Sequence, residues 1–390
     1  MKKVTFLSAG PAILAFAAVL FLATAAHAVQ FDVLASGYAQ EIYAAPLTPN
    51  QEAGMAWTSS NNLLTRAGST IIEYNPTQNT IVNGTNVHGV LATHLITGLV
   101  SSGYGLTNGK DGFIYAATGI GLQRFDPNNW AAPAQTLAGT VGGNGWGITT
   151  LPDGRIAYSD GGSPSNIYIY NPTGGSNTLI YTSNDPTTPF QPVLVDDIEA
   201  GPTGAIALAG HSSTANWPTA GIFIISNTGT LINSFATPHF PDGLAFGDGA
   251  SSNSLFSNNN DGTITEYALA PGYLGSPTIT DIAQQTLSSG KAYGDLAAVG
   301  PDCAFYVSQY ENNGANGSTV GTGTHWDDGS TTADASIVRI SAVGSDGLPI
   351  CLFFSPTETE VVPEPSTYVL GLIGLLGLGF VALRKKYRRA

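Results

Sequence analysis

Positive charge is scarce in this sequence of 390 residues, which has 13 Lys and Arg against 27 Asp and Glu. Charged residues make up 10% of the chain, well below the roughly 25% of an ordinary soluble domain. The formal charge of −14 excludes nucleic acid as an expected partner, because nucleic-acid binding depends on Lys and Arg contacts to phosphate. Helical bundles need Glu and Lys on their exposed faces, so this composition favours a chain built mainly from strands.

The first 28 residues have the three parts of a secretory signal peptide. Lys2 and Lys3 supply positive charge, an apolar run follows from Ile13 to Leu22, and Ala26 and Ala28 are small residues at the cleavage site. We therefore expect signal peptidase to cut before Val29. The alternative is an uncleaved N-terminal anchor, which the short apolar run disfavours.

The C-terminal end consists of Pro363-Glu364-Pro365, an apolar stretch and a basic tail. The stretch from Tyr368 to Leu383 has 16 residues and would form a transmembrane helix about 24 Å long. Flanking side chains can make up the difference from a hydrocarbon core of about 30 Å. The tail from Arg384 to Arg389 should stay in the cytoplasm by the positive-inside rule, which places the body outside.

This order of motif, span and Arg-rich end resembles the PEP-CTERM sorting signal of Gram-negative bacteria, over residues 363–390. The same signal is also known as an ice-binding protein C-terminal domain. The resemblance implies that an exosortase-type sorting enzyme cuts near Pro363, Glu364 and Pro365. The protein would be tethered in the inner membrane before sorting, and would then reach the cell surface or extracellular matrix. A permanent single-pass anchor is the alternative, because hydropathy does not separate the two.

Residues 29–362, the body, are more acidic than the whole chain suggests. Seven of the 13 basic residues lie in the two ends, so the body has 6 basic against 26 acidic residues and a formal charge of −20. Such a body attracts cations and is repelled by anionic surfaces.

The body contains a sequence pattern that occurs six times: a small residue or Asp, followed by short apolar strands separated by polar turns. The copies begin near residues 54, 105, 147, 197, 243 and 295, at intervals of 42 to 52 residues, which is typical of propellers and solenoids. Within the copies, a turn such as Asp111-Gly112 precedes a second strand, and Asn-Pro or Asp-Pro ends the third. The pattern predicts an all-β six-bladed β-propeller with an N-terminal signal helix and a single C-terminal hydrophobic helix. A β-sandwich or a β-helix is the alternative.

The phrase Pro241-Asp242-Gly243-Leu244-Ala245-Phe246 resembles NHL-type and gluconolactonase-like propellers. Carboxylate or amide side chains lie at or near five strand starts, and such oxygens are the ligands that calcium prefers. The resemblance implies a divalent ion at the central channel. Its family motifs match only in part, because Ala53-Gly54 stands where the family has Gly-Pro. The predicted metal ligands are Glu52, Asn144, Asp197, Asp242 and Asp295. Turn formation is the alternative role for each Asp.

Polar loops on the same face supply further candidates. His211 follows a predicted strand, and a long segment from Gln309 to Ala335 contains His325, Trp326 and Asp327. An aromatic ring beside carboxylates is typical of sugar-binding surfaces. These residues are candidates for contacting a ligand, and a solvated insertion is the alternative.

The two cysteines, Cys303 and Cys351, both lie in the exported body. An even number in an oxidising compartment allows a disulfide, and the absence of C-x-x-C disfavours a thiolate metal site. In a propeller the two would fall in the second and outermost strands of the sixth blade, with another strand between them. Whether they pair therefore stays open.

Two functions are compatible with the sequence. The first is a non-catalytic binding or structural module of the cell envelope or extracellular polymer matrix, with polysaccharide or another envelope protein as partner. The second is a calcium-dependent, gluconolactonase-like hydrolase that uses the channel carboxylates. We favour the first, because the sequence shows no Gly-x-Ser-x-Gly, His-Glu-x-x-His or other convincing acid–base pair.

Overall fold

The computed structural model describes residues 31–44, 54–82, 85–139, 145–162, 164–183, 194–211, 220–284, 291–312 and 335–355. Within these ranges the regular elements are strands and one short 3-10 helix, Gly249–Ser251. No helix in these ranges is long and apolar enough to span a membrane, and both predicted terminal helices lie outside them. The strands, in chain order, are β1 (Val33–Leu34), β2 (Tyr38–Ala44), β3 (Met55–Trp57), β4 (Leu63–Ala67), β5 (Thr70–Tyr74), β6 (Thr80–Val82), β7 (Thr85–Val87), β8 (Val90–Leu95), β9 (Leu106–Asn108), β10 (Ile114–Thr118), β11 (Gly121–Phe125), β12 (Gln135–Gly139), β13 (Ile148–Thr150), β14 (Ile156–Ser159), β15 (Asn166–Tyr170), β16 (Asn177–Thr182), β17 (Leu194–Ala200), β18 (Ile206–His211), β19 (Ala220–Ile225), β20 (Leu231–Ala236), β21 (Pro241–Phe246), β22 (Ser254–Asn259), β23 (Thr263–Ala270), β24 (Leu274–Gln284), β25 (Lys291–Val299), β26 (Phe305–Asn312), β27 (Ala335–Val343) and β28 (Pro349–Ile350).

The described strands form seven antiparallel sheets: six are the blades of a propeller, and the seventh is the two-stranded hairpin of β6 and β7. From the innermost strand outward, the first five blades are β3-β4-β5-β8, β9 to β12, β13 to β16, β17 to β20, and β21 to β24. The innermost strands of neighbouring blades contact one another around the ring, and β25 contacts β3. The prediction of an all-β, six-bladed propeller is therefore confirmed.

The sixth blade is completed by the N-terminal part of the body. Its strands β25, β26 and β27 are followed outward by β2, which pairs with β27 in antiparallel register from Tyr38 opposite Ala342. In addition, β1 pairs with the outermost strand of blade five, and β28 pairs with the end of β27. The first and last strands of the body therefore lie together in blades five and six, and they close the ring.

The innermost strands run in one direction and define two faces. We call the face where β3, β9, β13, β17, β21 and β25 begin the upper face, and the face where they end the lower face. Glycine stands at four of the starts, and a side chain at any of the four would collide with the next blade. A Cβ on Gly243 would lie 2.6 Å from the amide nitrogen of Ala297, and one on Gly105 would collide with the carbonyl oxygen of Trp146. This close approach explains the small residue in the repeated sequence pattern.

The core lies between the blades. In one cluster, Ile198, Leu208 and Phe223 of blade four pack with Ala157 and Ile167 of blade three. All five side chains are fully buried. Removal of this apolar surface from water stabilises the ring and holds the innermost strands in fixed positions around the channel.

A disulfide joins Cys303 and Cys351, whose Cα atoms are 5.0 Å apart. Cys303 lies in the turn between β25 and β26, and Cys351 follows β28. The expected placement in the second and outermost strands was wrong, because both residues lie just outside strands on the lower face. The turn and the C-terminal segment meet there directly, with no strand between them.

Candidate functional site

The upper end of the channel is shaped by β-bulges in three consecutive innermost strands. Pairing with the second strand shifts between Val195 and Asp197, between Pro241 and Gly243, and between Gly294 and Ala297. A bulge bends the strand and redirects the side chain within it. The residues inside the bulges include three carboxylates: Asp196, Asp242 and Asp295.

In blade four, the carboxylate inside the bulge belongs to Asp196 and not to the predicted ligand Asp197. Asp196 therefore corresponds in position to Asp242 and Asp295. Asp197 takes the position that glycine takes at the start of other innermost strands, and its Oδ2 accepts a hydrogen bond of 2.8 Å from the backbone amide of Leu244 in blade five. The sequence shows two adjacent aspartates, and the register shift that separates their roles has no sequence signal of its own.

Asp196 forms a buried pair with His211. The Nε2 atom of His211 lies 3.0 Å from Oδ2 of Asp196, and both side chains are 2% exposed. The ring of His211 also packs against Phe240, with centroids 4.8 Å apart. Burial raises the pKa of Asp196, and the contact with His211 opposes part of that rise. His211, predicted on a loop, is the last residue of β18.

Two further carboxylates follow Asp196 on the same strand. Burial raises the pKa of Asp197 well above its usual value, and the charges of Asp196 and Asp295 add to the rise. Burial, together with the charge of Asp197, likewise raises the pKa of Glu199. Blade four therefore carries a column of acidic groups from the mouth into the channel.

Glu199 lines a central cavity of about 30 Å³. Its walls come from the innermost strands of five blades and include Met55 and Trp57, Leu106 to Asn108, and Ala297 to Val299. A cavity of this size can hold a few ordered waters at most. The channel is thus too narrow at this level to hold a larger ligand.

The remaining two bulges are held by amide side chains of blade five. With the side-chain amide of Asn260 oriented so that its nitrogen faces the carboxylate, this nitrogen lies 2.6 Å from Oδ2 of Asp242 and can donate to it. Asn258, which is fully buried, donates to the carbonyl oxygen of Asp295 at 2.6 Å. The carboxylate of Asp295 accepts a hydrogen bond of 2.9 Å from the amide of Leu296. Both Asn258 and Asn259 lie in β22, although the sequence suggests a loop there.

Two aromatic residues stand at the matching position in blades two and three. Tyr104 and Trp146 directly precede Gly105 and Gly147, and their ring centroids are 6.3 Å apart. Both rings are partly exposed. Around the mouth, aromatic side chains therefore come from two blades and carboxylates from the next three. Sequence reasoning missed this pair, although both residues precede a repeated glycine.

The structure brings together only part of the predicted site. Asp197, Asp242, Asp295 and His211 lie in the upper part of blades four to six, whereas Glu52, Asn144, His325, Trp326 and Asp327 lie outside the described residues. In the ranges that the structure describes, no group of three or more His, Cys, Asp or Glu side chains is arranged to hold a metal ion. The calcium site therefore stays a prediction.

The fold is similar to those of solved proteins at low sequence identity. An iodide structure of a Trichoderma reesei carbohydrate-active enzyme of family AA12 has a TM-score of 0.51 and 11% identity, and the alignment covers 81% of this chain and 100% of that one. A streptogramin B lyase has a TM-score of 0.46 and 14% identity, with 78% and 98% covered. The PQQ-bound aldose sugar dehydrogenase of Streptomyces coelicolor has a TM-score of 0.47 and 13% identity, with 79% and 99% covered. At 11% identity, the likeness to the AA12 enzyme shows the fold alone.

The sequence comparisons concern the C-terminal end. A search of curated proteins finds no match to the chain. Residues 361–389 match the family model of the PEP-CTERM protein-sorting motif. The chain therefore has a PEP-CTERM sorting motif at residues 361–389 and a β-propeller body. Motifs of this kind mark proteins sorted to the cell surface of Gram-negative bacteria, and the PEP-CTERM motif implies processing by an exosortase-type enzyme.

Proposed function

We propose that the body of this protein acts as a non-catalytic binding or structural module of the cell envelope or extracellular polymer matrix. The observation that carries the proposal is a sorting motif at residues 361–389 on a chain whose described body is a single propeller. A protein delivered to the surface meets polysaccharide and other envelope proteins, and the mouth on the upper face has aromatic and carboxylate side chains that could contact them.

The contacts of the mouth carboxylates support a binding role. Asp197 holds the backbone of blade five, and Asp242 can accept a hydrogen bond from Asn260. Asp196 is engaged by His211. Side chains that are fixed in this way give a mouth of constant shape, which suits recognition of a surface polymer.

Co-sedimentation with polysaccharide tests the proposal. Mature protein released from the cell surface would be mixed with extracellular polysaccharide from the producing bacterium, and bound protein measured after centrifugation. We expect Asp242→Asn to weaken binding several-fold. Asp153→Asn, on an exposed turn of the lower face, is the matched control and should bind like the wild type. Absence of binding, together with absence of cross-links to any envelope protein, would contradict the proposal.

A calcium-dependent hydrolase is the second candidate. The observation that favours it is the placement of Asp196, Asp242 and Asp295 in corresponding bulges beside the channel. The described side chains alone do not form a complete metal site. Glu52 and Asn144 would have to complete it.

Calcium titration of the mature protein, followed by a lactone hydrolysis screen, tests this candidate. A stoichiometric site that is lost in Asp242→Asn and kept in Asp153→Asn would support it. If the titration shows no binding and the screen shows no turnover, the hydrolase is ruled out.

A further inference from the structure

The last described residues leave the propeller on its lower face, close to the axis. The carbonyl oxygen of Leu352 accepts a hydrogen bond from Asp248, and Phe353 forms a β-bridge with Gly247. The amide of Phe354 donates to the carbonyl oxygen of Phe246, at 2.8 Å. Phe246 is the last residue of the innermost strand β21. The chain that continues to the sorting motif therefore starts beside the lower end of the channel.

This exit point is fixed by packing and by a covalent bond. Phe353 is fully buried, and its ring lies 4.9 Å from Phe256 in blade five and 5.4 Å from Phe305 in blade six. Cys351 is bonded to Cys303 in a turn of the lower face. A pull on the C-terminal tail is thus transmitted to blades five and six on the lower side.

The chain between the exit and the predicted span is short. Residues 356–367 number 12, and 12 extended residues reach at most about 40 Å. Four strands about 4.8 Å apart, added to the channel, put the rim roughly 20 Å from the axis, and a six-residue strand is about 20 Å tall. Turning the upper face toward the membrane would therefore require nearly the whole length of this segment.

The distribution of charge over the two faces favours the same orientation as the length of the segment does. Four basic residues lie on or beside the lower face: Lys110, Arg124, Arg155 and Arg339. They offset only part of the negative charge of the aspartates in the lower-face turns, and the three arginines pair with Asp111, Asp153 and Asp302. The upper face carries the bulge carboxylates Asp196, Asp242 and Asp295. Since the acidic body as a whole is repelled by anionic lipid, the favoured orientation keeps these carboxylates farthest from it.

We propose that the lower face is the surface that lies against the anionic lipid of the membrane while the chain is tethered, and that the channel mouth points away from it. The inference rests on the proposed tethering through the C-terminal tail. It gives the mouth a direction: ligands approach from the extracellular side, unobstructed by the membrane.

The two lysines of the body provide a direct test, because Lys110 lies in a turn of the lower face and Lys291 begins β25 at the upper face. Protein comprising residues 29–390 would be reconstituted in vesicles of phosphatidylcholine and phosphatidylglycerol, which have no reactive amine, together with an acceptor-labelled lipid. A membrane-impermeant, amine-reactive donor dye would label Lys110 in Lys291→Arg and Lys291 in Lys110→Arg. The double variant corrects for labelling of the N-terminal amine.

We expect energy transfer to the lipid to be at least twofold greater from the dye on Lys110 than from the dye on Lys291. Equal or reversed transfer, in protein that floats with the vesicles, would overturn the orientation and leave the tether standing. Protein that does not float with the vesicles would overturn the tether itself, and the orientation with it.

Discussion

At the scale of single residues, the most unusual group is Arg66, whose guanidinium is fully buried without a carboxylate partner among the described residues. Its nitrogens donate to backbone carbonyl oxygens of Gly68 (2.9 Å), Ala117 (2.8 Å), Val100 (2.5 Å) and Ser102 (3.3 Å). Burial lowers its pKa to about 10, so the group stays charged at neutral pH. The side chain thereby ties blade one to the adjacent part of blade two.

Replacing Arg66 by Leu should destabilise the protein by about 3 kcal/mol or more, because several buried carbonyl groups lose their donors. Arg155→Leu is the control, since Arg155 is partly exposed and pairs with Asp153 on the lower face; it should cost less than about 1 kcal/mol. Urea unfolding measures both. If the two variants unfold at similar urea concentrations, Arg66 does not hold the blades together.

Glu199 should make the stability depend on pH. Its pKa is raised in the folded state, so folded protein holds the proton more tightly than unfolded protein does. Its contribution to stability is therefore present below the ordinary Glu pKa of about 4.3 and is lost as the pH rises. Glu199→Gln should gain stability relative to wild type between pH 4 and pH 8, by about 1 kcal/mol or more. Urea unfolding at pH 4 and pH 8 measures the difference in free energy of unfolding between Glu199→Gln and the wild type. A difference that is the same at both pH values would contradict the prediction.

The residue scale also shows where sequence reasoning stops. Asp242 and Asp295 could be predicted at the channel mouth because each lies beside a repeated strand start. That Asp196 rather than Asp197 joins them depends on a bulge, and a bulge is a shift in pairing between strands that neither strand encodes alone. Burial of His211 against Phe240 is likewise a contact between blades, which a local pattern cannot reveal.

At the scale of elements, the disulfide and β2 complete the last blade from opposite ends of the body. Cys303 and Cys351 are 48 positions apart in the sequence, so their bond restricts a long loop of the unfolded chain. Replacing both by Ser should lower the free energy of unfolding by about 2–4 kcal/mol. Dithiothreitol should lower the stability of the wild type by a similar amount and leave the double variant unchanged. If dithiothreitol also lowered the stability of the double variant, its effect on the wild type could not be assigned to the disulfide.

The predicted strands followed from turn chemistry and alternation, and the innermost strands begin one to four residues from the predicted repeat starts. The hairpin of β6 and β7 was not predicted, because it is an insertion in blade one that has no counterpart in the described residues of the other blades. The length of β17, β21 and β25 was also underestimated. Each of these strands begins before its bulge and continues through it. The repeated sequence pattern begins only inside the bulge or just after it.

At the scale of the whole molecule, we expect the two ends to direct export and sorting, and the body between them forms the propeller. The body is an acidic ring closed by its own first and last strands, and its exit lies on the face opposite the channel mouth. The sequence could predict the ring because six repeats of about 50 residues fit one propeller. It could not predict the direction of the exit, which depends on Phe353 packing between blades five and six.

Mass spectrometry of the mature protein tests whether the C-terminal motif delivers this propeller to the surface. Protein would be collected from the surface of cells that have the sorting enzyme and from the membranes of cells that lack it. We expect a surface form that begins at Val29 and ends near Pro363 to Pro365, and a membrane form that retains the tail to Ala390. An intact C-terminus on surface protein from cells that have the sorting enzyme would show that the motif is not processed during delivery.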